Sequence, residues 1–203
     1  MASVLRAMIL TALLSLTIAQ PEARMVDALA AGRALVGQPY QLGGRLRKPG
    51  EGADCEAVIF AVAEKLTGCG WRSFPVDPTK MLATRALGDR VKGLDPVATK
   101  DLDLSALRPG DVVLLVAATQ NPKEGPIGRL GDHDVWVWHT GVFTGDGRWL
   151  VGDHFAGQVV ETPLRAYLEE HADSYEGVFI LRTSGRKPPV CRHHAPLAPP
   201  PPK

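Results

Sequence analysis

Apolar residues recur at helical spacing in "MVDALAAGRALVGQ" and predict a helix from about Met25. Pro39 and the pair Gly43–Gly44 in "QPYQLGGRL" then demand a turn and a loop. In "ADCEAVIFAVAEKLTG", Ala57, Val58, Phe60, Ala61, Val62 and Leu66 leave hardly any polar face. This predicts a helix buried on nearly every side, capped by Asp54 and stopped near Gly68. Residues 69–109 read as a connecting excursion with one helix, "DPTKMLATRAL". After it the pattern turns to strands. "LRPGDVVLLVAA" sets a turn and a β-prone run, and "TQNPKEGPIGRLGDHD" is a long polar loop. "VWVWHTGVF", "RWLVGDH" and "QVVET" follow as strands, with "TGDG" as the turn between the first two. "TPLRAYLEEH" predicts a helix capped by Thr162, and "GVFILRT" a last buried strand. Helices first and an antiparallel sheet afterwards give an α+β fold in one domain.

The two ends carry different patterns. The first residues hold one Arg, an apolar run from Ala7 to Ala19, and small residues at Thr17 and Ala19. Residues 1–24 are therefore expected to be a secretory signal peptide, too short to span a membrane. The domain is expected over residues 25–184, exported to the periplasm or medium, monomeric, and without a membrane span. Residues 185–203 are Pro-rich and aperiodic, and are expected to form a disordered tail. With 23 basic and 22 acidic residues, the chain has no electrostatic footprint for nucleic acid.

Three cysteines leave an odd thiol in an exported chain. Cys69 and Cys191 are the candidates for pairing. Cys55 lies in the first turn of the buried helix, where free backbone N–H groups and the helix dipole favour an anion. That position is expected to lower the thiol pKa and to offer the Cys55 N–H to an oxyanion. The base is expected to be His139, a polar residue inside a β run, with Gly141 leaving room on the same face. A third group should orient the imidazole. Alternation puts Asp153 and His154 on opposite faces, and Asp153 shares its side with Trp149 and Val151. Asp153 is preferred; His154 serves if a bulge near Gly152 shifts the alternation. His193 and His194 lack partners at metal-ligand spacing, so no metal and no cofactor are expected.

Four stretches in order resemble the NlpC/P60 family of papain-like cysteine peptidases: "GQPYQLGGR", "ADCEAVIFAV", "LRPGDVVLL" and "HTGVFTGDGRWLV". CHAP amidases share the Cys-then-His order. The resemblance implies a papain-like NlpC/P60 fold and hydrolysis of amide bonds in peptidoglycan stem peptides through a thioester. It makes Cys55 the nucleophile and His139 the base, lines the site with Tyr40, and gives Asp54 the substrate's amino end. Glu56 replaces the Ser that follows the family's Cys, and is expected to grip a cation or raise the thiol pKa. Asp111 matches a family position but reads as turn chemistry. The competing expectations are a thiol acyltransferase or thioesterase, and a non-catalytic cell-envelope binding module.

Overall fold

Asp54 starts the buried helix as its sequence implies, its carboxylate accepting from Ala57 N at 2.9 Å. The helix, α2, runs Cys55–Thr67, and Gly68 closes it in the left-handed conformation. The structure, a computed structural model, describes residues 22–193. The expected signal segment, residues 1–24, lies almost wholly outside them, as do residues 194–203 of the tail. Residues 22–33 are helical (α1). Two shorter helices follow, α3 (Pro78–Thr84) and α4 (Leu164–Glu170). No helix among the described residues is long and apolar enough to cross a membrane.

The strands are β1 (Asp89–Arg90), β2 (Val97–Ala98), β3 (Val112–Ala117), β4 (Gly128–Leu130), β5 (His133–Gly145), β6 (Arg148–Asp153), β7 (Gln158–Pro163) and β8 (Gly177–Arg182). They form one sheet in the order β1-β8-β3-β5-β6-β7, with β2 also on β8 and β4 also on β5. Every pairing of these strands is antiparallel. All of β3 is buried, which explains its unbroken apolar run. Val112, Leu114 and Val116 face α2 together with Val142, Leu150, Phe179 and Leu181. Val113 and Leu115 face the other way, with Trp149, Val151, Ile180 and the α4 residues Leu164, Tyr167 and Leu168. The sheet is thus covered on both sides, and truncating a fully buried leucine such as Leu114 should cost about 2–5 kcal/mol.

Several local expectations change. The polar loop before β5 contains β4, which closes a tight hairpin through Leu130↔His133. Thr162 does not cap α4. It lies in β7, Pro163 takes the N-cap position, and Leu164 N donates to Gly147 O. The excursion over residues 69–109 contributes β1 and β2, both against the far strand β8. The tail is held more firmly than its composition suggests. Cys191 is disulfide-bonded to Cys69, with Cα atoms 5.1 Å apart. Beside that bond Gly70 N donates to Arg192 O at 2.7 Å, and Arg192 N to Ser73 Oγ at 2.8 Å. Asp111 is structural, accepting from Arg108 N and two guanidinium nitrogens of Arg182.

The segment after α1 positions one wall of the site. Gly43 has φ 75°, and a Cβ on Gly44 would sit 2.8 Å from Gln41 O, so only glycine fits this fold-back. Tyr40 N donates to Gly157 O at 2.8 Å and Gly37 N to Val159 O at 2.9 Å. These bonds stitch the segment to the edge strand β7.

Candidate active site

Cys55, the free thiol, is half-buried in the first turn of α2. The sheet comes very close here. A Cβ on Gly152 of β6 would collide with Asp54 O and lie 2.9 Å from Cys55 N, so this position accepts no side chain. The acids on either side of the thiol are engaged. Arg45, buried at 8% exposure, pairs with both Asp54 and Glu56. Asp54 also accepts from Gly43 N at 3.1 Å, so the Gly–Gly fold-back and the helix cap share one carboxylate. Two of the residues expected to meet substrate are therefore joined to a third that the sequence did not flag.

His139 lies on the face of the sheet opposite the bulk of α2, among aromatic rings. Its ring is stacked at 10° to Tyr175 (6.0 Å) and at 22° to Tyr167 (6.1 Å), with Trp149 edge-on at 5.9 Å. The space expected beside Gly141 is filled by Trp149, whose ring would lie 2.6 Å from a Cβ there. A register shift between Leu115 and Val116 leaves Trp138 as the extra residue of β5, directly before His139. Such a bulge re-aims the next side chain. Asp153 and His154 both come to His139. One ligand atom from each of the three lies within 4.8 Å of the other two. The strand alternation does not separate them because β6 ends at Asp153 and His154 already belongs to the following turn. No bulge is involved: the β6–β7 register runs unbroken through Gly152↔Val159 and Asp153↔Gln158. Asp153 Oδ1 accepts from Phe155 N at 2.8 Å and from the Tyr167 hydroxyl at 3.5 Å. The Tyr40 ring stands 6.0 Å from that of His154 and links the two groups of residues. Among the described residues no hydrogen bond joins the Cys55 thiol to His139, whose Nε2 is buried without a partner.

No family model matches the chain, and no curated protein matches it. Solved structures do. The hypothetical invasion protein of Mycobacterium tuberculosis aligns at 17% identity over 80% of this chain and 62% of its own, with a TM-score of 0.50. The peptidoglycan hydrolase RipB from the same organism aligns at 18% over 81% of this chain and 66% of its own, also at 0.50. An NlpC/P60 family protein from Bacillus cereus aligns at 22% over 76% of this chain and 39% of its own, at 0.44. The fold is that of the NlpC/P60 proteins. The chain spans less than two thirds of the length of the first and third of these structures and 66% of RipB.

Within this NlpC/P60 fold the electrostatics of the thiol run against the expectation from its helix position. Burial pushes the Cys55 thiol up to about 12, and the charges of Asp54 and Glu56 add to the rise. Thr140, beside the sulfur on β5, acts in the opposite direction without overcoming burial. Burial likewise lowers His139 to about 3, reinforced by the charges of His154 and His171. The resting pair is a neutral thiol and a neutral imidazole. Burial also lifts Glu56 to about 7, with Arg45 opposing. Tyr40 rises to about 12 through burial, then through the nearby Cys55 and Asp54. Tyr175 is raised by burial and then by the charge of Cys55, so its hydroxyl shares the thiol's surroundings as well as those of His139. Tyr167 and Tyr175 were not legible as site residues, since an aromatic on a short amphipathic helix or before a strand reads as core.

Proposed function

We propose that this chain is an exported cysteine peptidase or amidase that hydrolyses amide bonds in peptidoglycan stem peptides. The observation that carries it is the close approach of Gly152 on β6 to the first turn of α2 at Cys55; Gly152 is next in sequence to Asp153 and His154, which gather with His139 within 4.8 Å. In this reading the thiol proton passes toward His139 as the substrate carbonyl is attacked, and His139 returns it to the leaving amine. Water then hydrolyses the thioester. Asp153, held by Phe155 N and Tyr167, orients the imidazole and stabilises its charged form. Cys55 N–H faces the oxyanion. Tyr40 lines the cleft, while Asp54 and Glu56 present their carboxylates through Arg45 rather than as free anions. With both groups neutral at rest, the proton moves in this reading only as the carbonyl is attacked. The likeness to RipB, itself a peptidoglycan hydrolase, supports the substrate class. The Cys69–Cys191 disulfide supports an oxidising compartment, and with it export and removal of residues 1–24.

The same neutral pair, with an unpartnered His139 Nε2, favours a second reading as a non-catalytic envelope-binding module. One experiment separates them. Purified wall fragments are incubated with the wild type and with Cys55→Ser, and products are identified by mass spectrometry. New amine and carboxyl ends with the wild type, and none with the variant, are expected. Intact fragments in both, from a folded wild type that still sediments with the wall, establish the binding module.

A further inference from the structure

We propose that His139, Asp153 and His154 form a binding site for a divalent transition-metal ion of the zinc type, and that the bound ion switches hydrolysis off. The switch rests on the reading of His139 as the base; the metal site does not.

Two imidazoles and one carboxylate are a donor set that zinc and its neighbours accept. The three ligand atoms already lie within 4.8 Å of one another. His139 Nε2 is buried and has no hydrogen-bond partner among the described residues. A buried ring nitrogen lacking a partner carries a desolvation cost that a metal–nitrogen bond would remove. Asp153 is half committed: Oδ1 holds Phe155 N and the Tyr167 hydroxyl, whereas Oδ2 makes no hydrogen bond among the described residues. Those two contacts are the outer support that fixes a ligating carboxylate.

The surroundings suit capture from solution. His139 is 2% exposed and clamped by Trp149, Tyr167 and Tyr175, so it is the rigid ligand. His154 is exposed and follows the last residue of β6, so it is the ligand free to adjust. Ligand atoms of a tetrahedral site lie ~3.3 Å apart, so the set has to close from a spread of at most 4.8 Å. Asp153 supplies one negative charge, and the adjacent acids Asp54 and Glu56 are paired with Arg45 rather than competing for the ion. An ion held here occupies the lone pair that the base needs to accept the thiol proton.

The test uses the full chain carrying Cys55→Ala, His193→Gln and His194→Gln, which removes the thiol and the tail imidazoles as ligands. Zinc is titrated against a chromophoric chelator after exhaustive chelation of the protein. One ion per chain with micromolar or tighter affinity is expected, weakened at least ~10-fold by Asp153→Asn and by His154→Gln. Both added variants are conservative, and circular dichroism checks their folding. Cobalt should give a visible d–d absorption that both variants lose. Absence of binding in this background, or affinity unchanged by both variants, overturns the site. In the wild type, equimolar zinc should cut stem-peptide hydrolysis at least ~10-fold, with recovery on chelation. Binding with undiminished hydrolysis overturns the switch. Binding with the expected losses but no hydrolysis by metal-free wild type supports the site and overturns the hydrolase reading instead.

Discussion

Arg45 governs what the acids beside the thiol can do. A loop arginine after Gly–Gly reads as solvated, and nothing in the local pattern joins it to residues 54 and 56. The structure buries it between two carboxylates, and removing one member of such a group leaves an unpaired buried charge. The place of Cys55 at the start of α2 was legible, because a capping Asp stands before it and an apolar run follows. Its ionisation was not, since burial and neighbouring charge decide that. Glu56→Gln removes a charge that raises the thiol pKa, so alkylation of Cys55 by iodoacetamide at pH 8 should be several-fold faster than in the wild type. Because Glu56 itself ionises only near pH 7, the two rates should converge at pH 6. Equal rates at pH 8 would remove Glu56 from the thiol's electrostatics. His139 gives a prediction of opposite sense. Its folded pKa of about 3 lies below the ordinary histidine value of 6.5, so the unfolded chain takes up a proton first as pH falls. The stability it contributes is complete above pH 6.5 and is lost progressively toward pH 3. Urea midpoints measured from pH 7 to 4 should therefore fall less steeply in His139→Gln than in the wild type.

At the scale of elements, the sequence located α2 and the long strands well, because burial on both sides leaves unbroken apolar runs. It missed β4, three residues inside a polar loop, since a strand that short carries no periodicity. The extra residue at Trp138 was equally hidden: a bulge is a property of the pairing between β3 and β5 and not of either strand alone. The choice between Asp153 and His154 assumed that alternation continues past Asp153, and the strand ends there. Gly152 was read as a possible bulge, whereas its function is contact between β6 and the first turn of α2. Gly152→Ala must separate the two elements, and overpacking of this kind typically costs ~1–3 kcal/mol. Hydrolysis should fall by more than that stability loss alone explains when assayed well below the melting temperature. A fully active Gly152→Ala would show that the approach of strand to helix is incidental.

At the scale of the molecule, the two faces of the sheet divide the labour. One face packs α2, and the other packs α4 and the aromatic rings around His139; Gly152 of β6 lets the first turn of α2, with Cys55, come up against the strand. The tail fastens the first of these from outside through Cys191, beyond the C-cap of α2. Cross-links closing so long a loop typically contribute about 2–5 kcal/mol. Cys69→Ser should thus lower the denaturation free energy by roughly that amount, measured in guanidinium, while the wild-type rate persists at low temperature. No loss of stability would mean that the hydrogen bonds of Arg192 hold the tail unaided.

The pairing of β1 and β2 with β8 has one more consequence. Residues 89–98 cannot find their partners until residues 177–182 have been synthesised, and one edge of β3 waits for the same strand while the other pairs with β5. Such distant closure makes folding slow. A ribosome therefore releases most of this chain before the β8 side of the sheet can close.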